Sequence, residues 1–229
     1  MYEERAALVP GVIVWTRDDD GCGSGEYRVL PDGCMDLIWH DGALLVAGPD
    51  TVAHLSADRP GSAYAGLRFA PGAGPRALGA PARELRDQRV PLDALWPARA
   101  ARALADRAGG GDPAAVLEEW AVRRTHETGP ADPLSAGVAA GLRAGRPLSA
   151  VAAGTGLGER QLRRRCEAAF GYGPKTLARV LRMQRALALA RRGTAFAEVA
   201  LRAGYADQAH LAREVKALAG VPLGRLLRP

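Results

Sequence analysis

Two segments of the second half of this chain share one layout, and that repeat restricts the fold more than any other feature. Leu148-Ser149-Ala150-Val151-Ala152-Ala153-Gly154-Thr155-Gly156-Leu157 precedes a segment carrying Leu162 and Cys166. Phe196-Ala197-Glu198-Val199-Ala200-Leu201-Arg202-Ala203-Gly204-Tyr205 precedes a segment carrying Leu211 and Val215. Each reads as a short helix of small residues, a glycine turn at which positive φ is expected, and a second helix. Between the units, Gly173-Pro174 opens a long helix with a stripe at Leu177, Val180, Leu181, Gln184 and Leu187, and Gly193 ends it. A helix opening at Asp132-Pro133 stands ahead of both units, with Leu134, Val138 and Leu142 on one face.

The second helix of each unit has two unlike faces at 100° per residue. In the first, Leu162, Cys166, Ala169 and Phe170 point one way and Arg160, Arg163, Arg164 and Glu167 the other. In the second, Leu211, Val215 and Leu218 point inward, while Ala209, His210, Arg213 and Lys216 point outward. A basic face of this kind can also be a solvated side of an ordinary helical bundle. Charge distribution separates the two readings. Residues 1–130 hold 14 Lys+Arg against 19 Asp+Glu, whereas residues 131–229 hold 17 against 6, so the overall +6 divides into −5 and +11. A strongly basic half joined to an acidic half implies a polyanionic partner for one half alone.

This layout resembles the C-terminal domain of the AraC family of bacterial regulators, over about residues 133–229. The resemblance rests on Gly156-Leu157, Leu162-Arg163-Arg164 and Phe170-Gly171-Tyr172-Gly173-Pro174 in the first unit. In the second it rests on Val199-Ala200, Ala203-Gly204-Tyr205, Leu211-Ala212-Arg213, Gly220-Val221-Pro222 and Leu226-Leu227-Arg228. It implies two helix-turn-helix units on a connecting helix, with recognition helices at about 159–169 and 207–218 entering adjacent major-groove segments. Carried over by position, the base-reading residues are Arg160, Arg163, Arg164, Gln208, Ala209, His210, Ala212 and Arg213. Arg182 and Arg185 on the connecting helix are assigned to phosphates, which position without specifying. Gly158 departs from a Ser-type N-cap, and Cys166, Leu211 and Val215 replace customary phenylalanines, which implies a somewhat different core.

The first half reads differently. Short β-branched or aromatic runs at 12–15, 27–30, 35–39, 43–46, 51–55 and 64–69 are punctuated by glycine and proline, with Asp41-Gly42 a two-residue hairpin signal. A polar segment follows the first run through Gly25. A short helix is expected over 77–88, another over 98–108, and a third from Asp112-Pro113 carrying Val116, Leu117, Trp120 and Ala121. Trp96 and Trp120 read as core. The fold class is therefore α+β: a small antiparallel β sheet or barrel with trailing helices over 1–127, a linker at 128–132, and an all-α double helix-turn-helix domain over 133–229.

The runs Arg28 to Ile38 and Gly66 to Gly72, with Glu84-Leu85-Arg86-Asp87 and Val90-Pro91-Leu92, resemble a sensor-like domain found ahead of such DNA-binding units. The resemblance implies a reduced cupin-like barrel and leaves its function unassigned. Asp32, Cys34, Asp36, Trp39, His54 and Arg68 are the candidate effector-pocket residues. Cys34, His40 and His54 lack a local ligand spacing, so no metal and no cofactor is expected. There is no phosphate-binding glycine loop and no Ser-His-Asp signature, and the expectation is a regulator and not an enzyme. Two alternatives stay open: a Cys34 thiol that is modified in a sensor or repair-type module, and a ligand-free domain that only dimerises or docks on RNA polymerase. Double-stranded DNA is the expected partner, with RNA polymerase and a small-molecule effector as further candidates and a monomer or homodimer as the assembly. Cys22, Cys34 and Cys166 are odd in number and form no C-x-x-C pair; there is no apolar run of membrane length and no signal peptide. A cytoplasmic location without membrane contact is expected.

Overall fold

The computed structural model describes residues 1–18, 26–57 and 61–227. The polar segment through Gly25 with Cys22, and Arg228 of the C-terminal motif, lie outside the described residues. Eight strands and ten α-helices are present among the described residues. The strands are β1 (Tyr2–Ala6), β2 (Val12–Asp18), β3 (Glu26–Val29), β4 (Met35–His40), β5 (Ala43–Ala47), β6 (His54–Ala57), β7 (Ala63–Phe69) and β8 (Arg89–Pro91). Six form one antiparallel sheet in the order β1-β2-β7-β4-β5-β8, and β3 and β6 pair as a separate ribbon. The hairpin at Asp41-Gly42 forms as expected, with φ of 47° and 76° at its two central residues.

Alternation along the strands gives the large sheet two different faces. One carries Val12, Val14, Leu37, Val46, Leu67 and Phe69, and packs on Leu104 of α2 (Ala98–Gly109) and on Leu117 and Trp120 of α3 (Pro113–Thr128). Trp96 joins this core, donating its indole N–H to the Leu78 carbonyl at 2.7 Å. The helix expected over 77–88 is not continuous. A shorter α1 (Gly74–Leu78) ends at Gly79, whose φ is 78°, and a single 3-10 turn (Ala82–Glu84) follows. Pro81, extended at ψ 136°, cannot continue the helix. Strands β1 and β8 and the last short helix carried too few patterned residues to be expected.

The second half is helical throughout. The helices are α4 (Pro133–Arg143), α5 (Leu148–Ala153), α6 (Glu159–Phe170), α7 (Pro174–Arg191), α8 (Phe196–Ala203), α9 (Gln208–Ala219) and α10 (Leu223–Leu226). Asp112 and Asp132 cap α3 and α4, each accepting two backbone N–H bonds. Two apolar cores share α7. Leu177, Val180 and Leu181 join Val138, Leu142, Val151, Leu162, Cys166 and Phe170; Met183, Ala186 and Leu187 join Val199, Ala203, Leu211, Val215 and Leu218. One helix therefore fixes the spacing of both units.

The first half is seated on α6, through α1 and the 3-10 turn at Ala82–Glu84, and also touches α7 and α9. Gln184 donates to the Pro31 carbonyl at 2.6 Å, the Ala53 N–H donates to the Leu218 carbonyl at 2.7 Å, and Leu30 packs on the second helical core. A side chain at Gly33 would stand 3.3 Å from Leu177, so a small residue is needed where the Pro31-Asp32-Gly33 turn meets the connecting helix.

Candidate functional site

Each helix-turn-helix unit presents its second helix outward because the first helix, the turn and α7 enclose the apolar stripe. On α6, Leu162, Cys166 and Phe170 are buried while Arg160, Arg163 and Arg164 are exposed. On α9, Leu211, Val215 and Leu218 are buried; Gln208, Ala209, Ala212 and Arg213 are exposed, and His210 is half-buried with its ring edge against Tyr205. Arg163 makes a 2.8 Å bond to Glu167 one turn on, leaving Arg160 and Arg164 as the extended cations of that face.

The turns differ from the sequence expectation in one respect. Gly204 closes α8 with a φ of 83°, but Gly154 is right-handed at −67°, and the positive φ of the first unit falls on Gly156 at 65°. The Thr155 hydroxyl bridges the intervening residues, donating to the Ala152 carbonyl and accepting from the Leu157 N–H. That side-chain link lets the first turn run further before it reverses.

Arg182 and Arg185 are half-buried on α7 and bonded within the domain. Arg182 lies over the Tyr205 ring at 4.7 Å, pairs with Glu214 at 3.5 Å and donates to the Gly204 carbonyl. Arg185 donates to the carbonyls of Leu142, Arg143 and Ala203, tying α4, α7 and α8 together. Both guanidinium groups satisfy helix-end carbonyls inside the domain, a use that spacing along the chain cannot reveal.

The second face of the large sheet, covered by the β3–β6 ribbon, lines a cavity of about 630 Å³. Asp32, Cys34, Asp36, His54 and Arg68 line it, and Trp39 does not. Trp39 shares parity with Met35 and Leu37, so it packs on the helix-facing core. The residues of opposite parity supply the rest: Tyr2, Trp15, Arg17, Tyr27, Ile38, Leu45 and Tyr64, with Asp50 and Arg89 closing one side and Gln184 and Arg191 of α7 another. Counting alternate positions outward from Asp36 would have found the strand members; the α7 members had no such signal.

The cavity floor is polar. Asp36 and Arg68 are directly opposed across β4 and β7, with Arg68 Nε 3.4 Å from Asp36 Oδ1. Trp15 donates its indole N–H to the same oxygen at 2.9 Å, its ring lying over Gly66, where a Cβ would stand 2.3 Å away. Burial raises the Asp36 carboxyl to about 6. It also pushes the Cys34 thiol up, reinforced by the Asp32 and Asp36 charges, which favours the neutral thiol. Cys34, His40 and His54 do not converge: His40 stacks on Tyr64 with ring centroids 4.0 Å apart at the far end of β4. Among the described residues, no three His, Cys, Asp or Glu side chains are grouped to hold a metal ion. None of the described helices is long and apolar enough to cross a membrane.

Comparison with known proteins places both halves. Residues 151–228 match a helix-turn-helix domain family, and residues 12–91 match a domain of unknown function (DUF6597). No curated protein matches the chain. Among solved structures, the chain is similar to an apo variant of ToxT from Vibrio cholerae at 10% identity, over 97% of this chain and 98% of that one, with a TM-score of 0.51. It is also similar to wild-type ToxT from Vibrio cholerae with an unsaturated fatty acid bound, at 10% identity over 99% of this chain and 97% of that one, with a TM-score of 0.48. The first of these likenesses extends over both halves and is one of fold. The chain therefore joins a helix-turn-helix domain at its C-terminal end to an N-terminal domain of the DUF6597 family.

Proposed function

We propose that this protein is a sequence-specific transcription regulator that inserts α6 and α9 into adjacent major-groove segments and senses a small molecule in its N-terminal cavity. The observation that carries the DNA reading is the shared connecting helix. An 18-residue helix is about 27 Å long at roughly 1.5 Å per residue. That length is of the order of the ~34 Å between successive turns of the major groove. Both outward faces are polar or basic, and both inward faces are anchored on the same α7. Arg160, Arg163 and Arg164 on α6, and Gln208, Ala209, His210, Ala212 and Arg213 on α9, are the base-reading set. Three arginines against one assign the larger share of affinity and guanine readout to the first unit. We assign the domains as 1–127 and 133–229 with a linker at 128–132, in keeping with the separate cores on either side. Family and fold favour a regulator over an enzyme, and the neutral Cys34 thiol gives the thiol-modification alternative no support.

The test is DNA binding by Arg164→Ala and Arg213→Ala. Each should lose about 1–3 kcal/mol on a cognate site and far less on random DNA. Equal losses on both DNAs would make them phosphate contacts and overturn the base-reading assignment.

A further inference from the structure

The cavity is polarised, and its polarity identifies the class of molecule that fits it. At the floor, the Arg68 guanidinium meets three carboxylates: Asp36 at 3.4 Å, Glu4 at 3.6 Å and Asp32 at 3.8 Å. Of these, Asp36 and Asp32 line the cavity beside Arg68, two carboxylates to one guanidinium, while Glu4 stands outside the lining; Arg17, further along β2, lies over the Tyr27 ring at 3.7 Å. Two aromatic side chains belong to the same cluster, the Trp15 indole bonded to Asp36 and the Tyr2 hydroxyl bonded to Glu4 at 2.7 Å, with their rings 6.2 Å apart. Asp50 and Arg89 form a closed bidentate pair at 2.8 and 2.7 Å and add no net charge. Behind this wall the Tyr172 hydroxyl, in a residue only 3% exposed, has no hydrogen-bond partner, although the charges of Asp32 and Asp50 act on it.

The side facing the helix-turn-helix domain has the opposite character. Arg28 of β3 and Arg191 at the end of α7 both line the cavity, and neither has an ion-pair partner among the described residues. The Arg28 guanidinium reaches to the end of α9, 3.1 Å from where a Gly220 side chain would begin. Acidic groups beside aromatic faces attract a cationic group. Unpaired arginines attract an anionic one. A plain organic acid would leave the acidic floor unanswered, and a plain amine would face two uncompensated guanidinium groups.

We propose that the cavity binds a zwitterionic small molecule, its cationic amine at the Asp36–Asp32 pair beside Tyr2 and Trp15 and its anionic group towards Arg28 and Arg191. This rests on the reading of the cavity as the sensor site and names the ligand class for it. The occupant touches both domains, because Arg191 and Gln184 belong to α7 and Gln184 holds the carbonyl of Pro31, the neighbour of Asp32.

Thermal-shift titration of the full chain with the proteinogenic amino acids tests the proposal. For the strongest binder it is repeated with that compound's deaminated and decarboxylated analogues, and oleate serves as an amine-free acid. At least one amino acid should raise the melting temperature, with each truncated analogue binding at least about ten-fold more weakly. Asp32→Asn, which keeps an oxygen for the Cys34 N–H, should weaken the amino acid and leave the deaminated analogue unchanged. Asp36→Asn, which keeps an oxygen for the Trp15 indole, should do the same more strongly. Stabilisation by oleate or a deaminated analogue at least equal to that by every amino acid overturns the zwitterion and leaves the sensor reading standing. No shift with any compound overturns both, while DNA binding, measured separately, would be untouched.

Discussion

Asp36 sits on the cavity floor, and its surroundings pull in opposite directions. Burial disfavours its charge, while Arg68 and the Trp15 indole favour it, and the balance leaves its carboxyl at about 6. The folded value lies above the ordinary 3.8, so the charged form is disfavoured in the folded protein. Stability lost to this group at pH 7 is regained as pH falls through about 6 and Asp36 is protonated. The Trp15 indole N–H resonance should therefore titrate with a midpoint near 6, and the transition should vanish in Asp36→Asn; a flat profile down to pH 5 would contradict this. Gly66 is the residue that lets the indole lie there. Gly66→Ala should cost about 1–3 kcal/mol in urea denaturation, because the new methyl meets a ring already fixed by its bond to Asp36.

At the scale of elements, α6 and α9, the second helices of the two units, are built alike and capped differently. Asp207 accepts the His210 N–H at 2.6 Å at the start of α9, whereas Gly158 offers α6 no side-chain cap. Asp207→Ala should destabilise the second unit by about 1 kcal/mol, and Gly158→Ser should stabilise the first by a smaller amount. Chemical denaturation of the two variants checks both signs. The outward and inward faces of these helices were legible from sequence, because a 3.6-residue period is imposed by neighbours along the chain. The turn glycines were legible only in part. Nothing in the run Gly154-Thr155-Gly156 states that the Thr155 hydroxyl will bond to Ala152 and move the left-handed residue to Gly156.

For the whole molecule, the charge asymmetry carries a prediction of its own. With a net +11 over residues 131–229 and the recognition faces exposed, binding should neutralise about five or more phosphates. The slope of log K against log salt should then be about −4.5 or steeper. Substituting a base-reading arginine should leave that slope nearly unchanged, whereas removing a phosphate contact should lower its magnitude by about 0.9. Filter-binding or anisotropy measurements over a range of salt concentrations separate the two.

What the sequence determined by itself is the duplicated helix-turn-helix, the faces of its helices, most of the strands and the charge division between the halves. All of these follow from periodicity and composition, which are local properties of a chain. Only the tertiary structure decided that Arg182 and Arg185 clamp helix ends inside the domain and that Trp39 joins the core. It also set Arg68 among three carboxylates and brought Arg191 to the same cavity. Those placements depend on which strands pair and which helix docks on them. Charges brought together from residues 4, 32, 36, 68 and 191 leave no pattern that spacing along the chain could show, because their mutual energies exist only once the chain has folded.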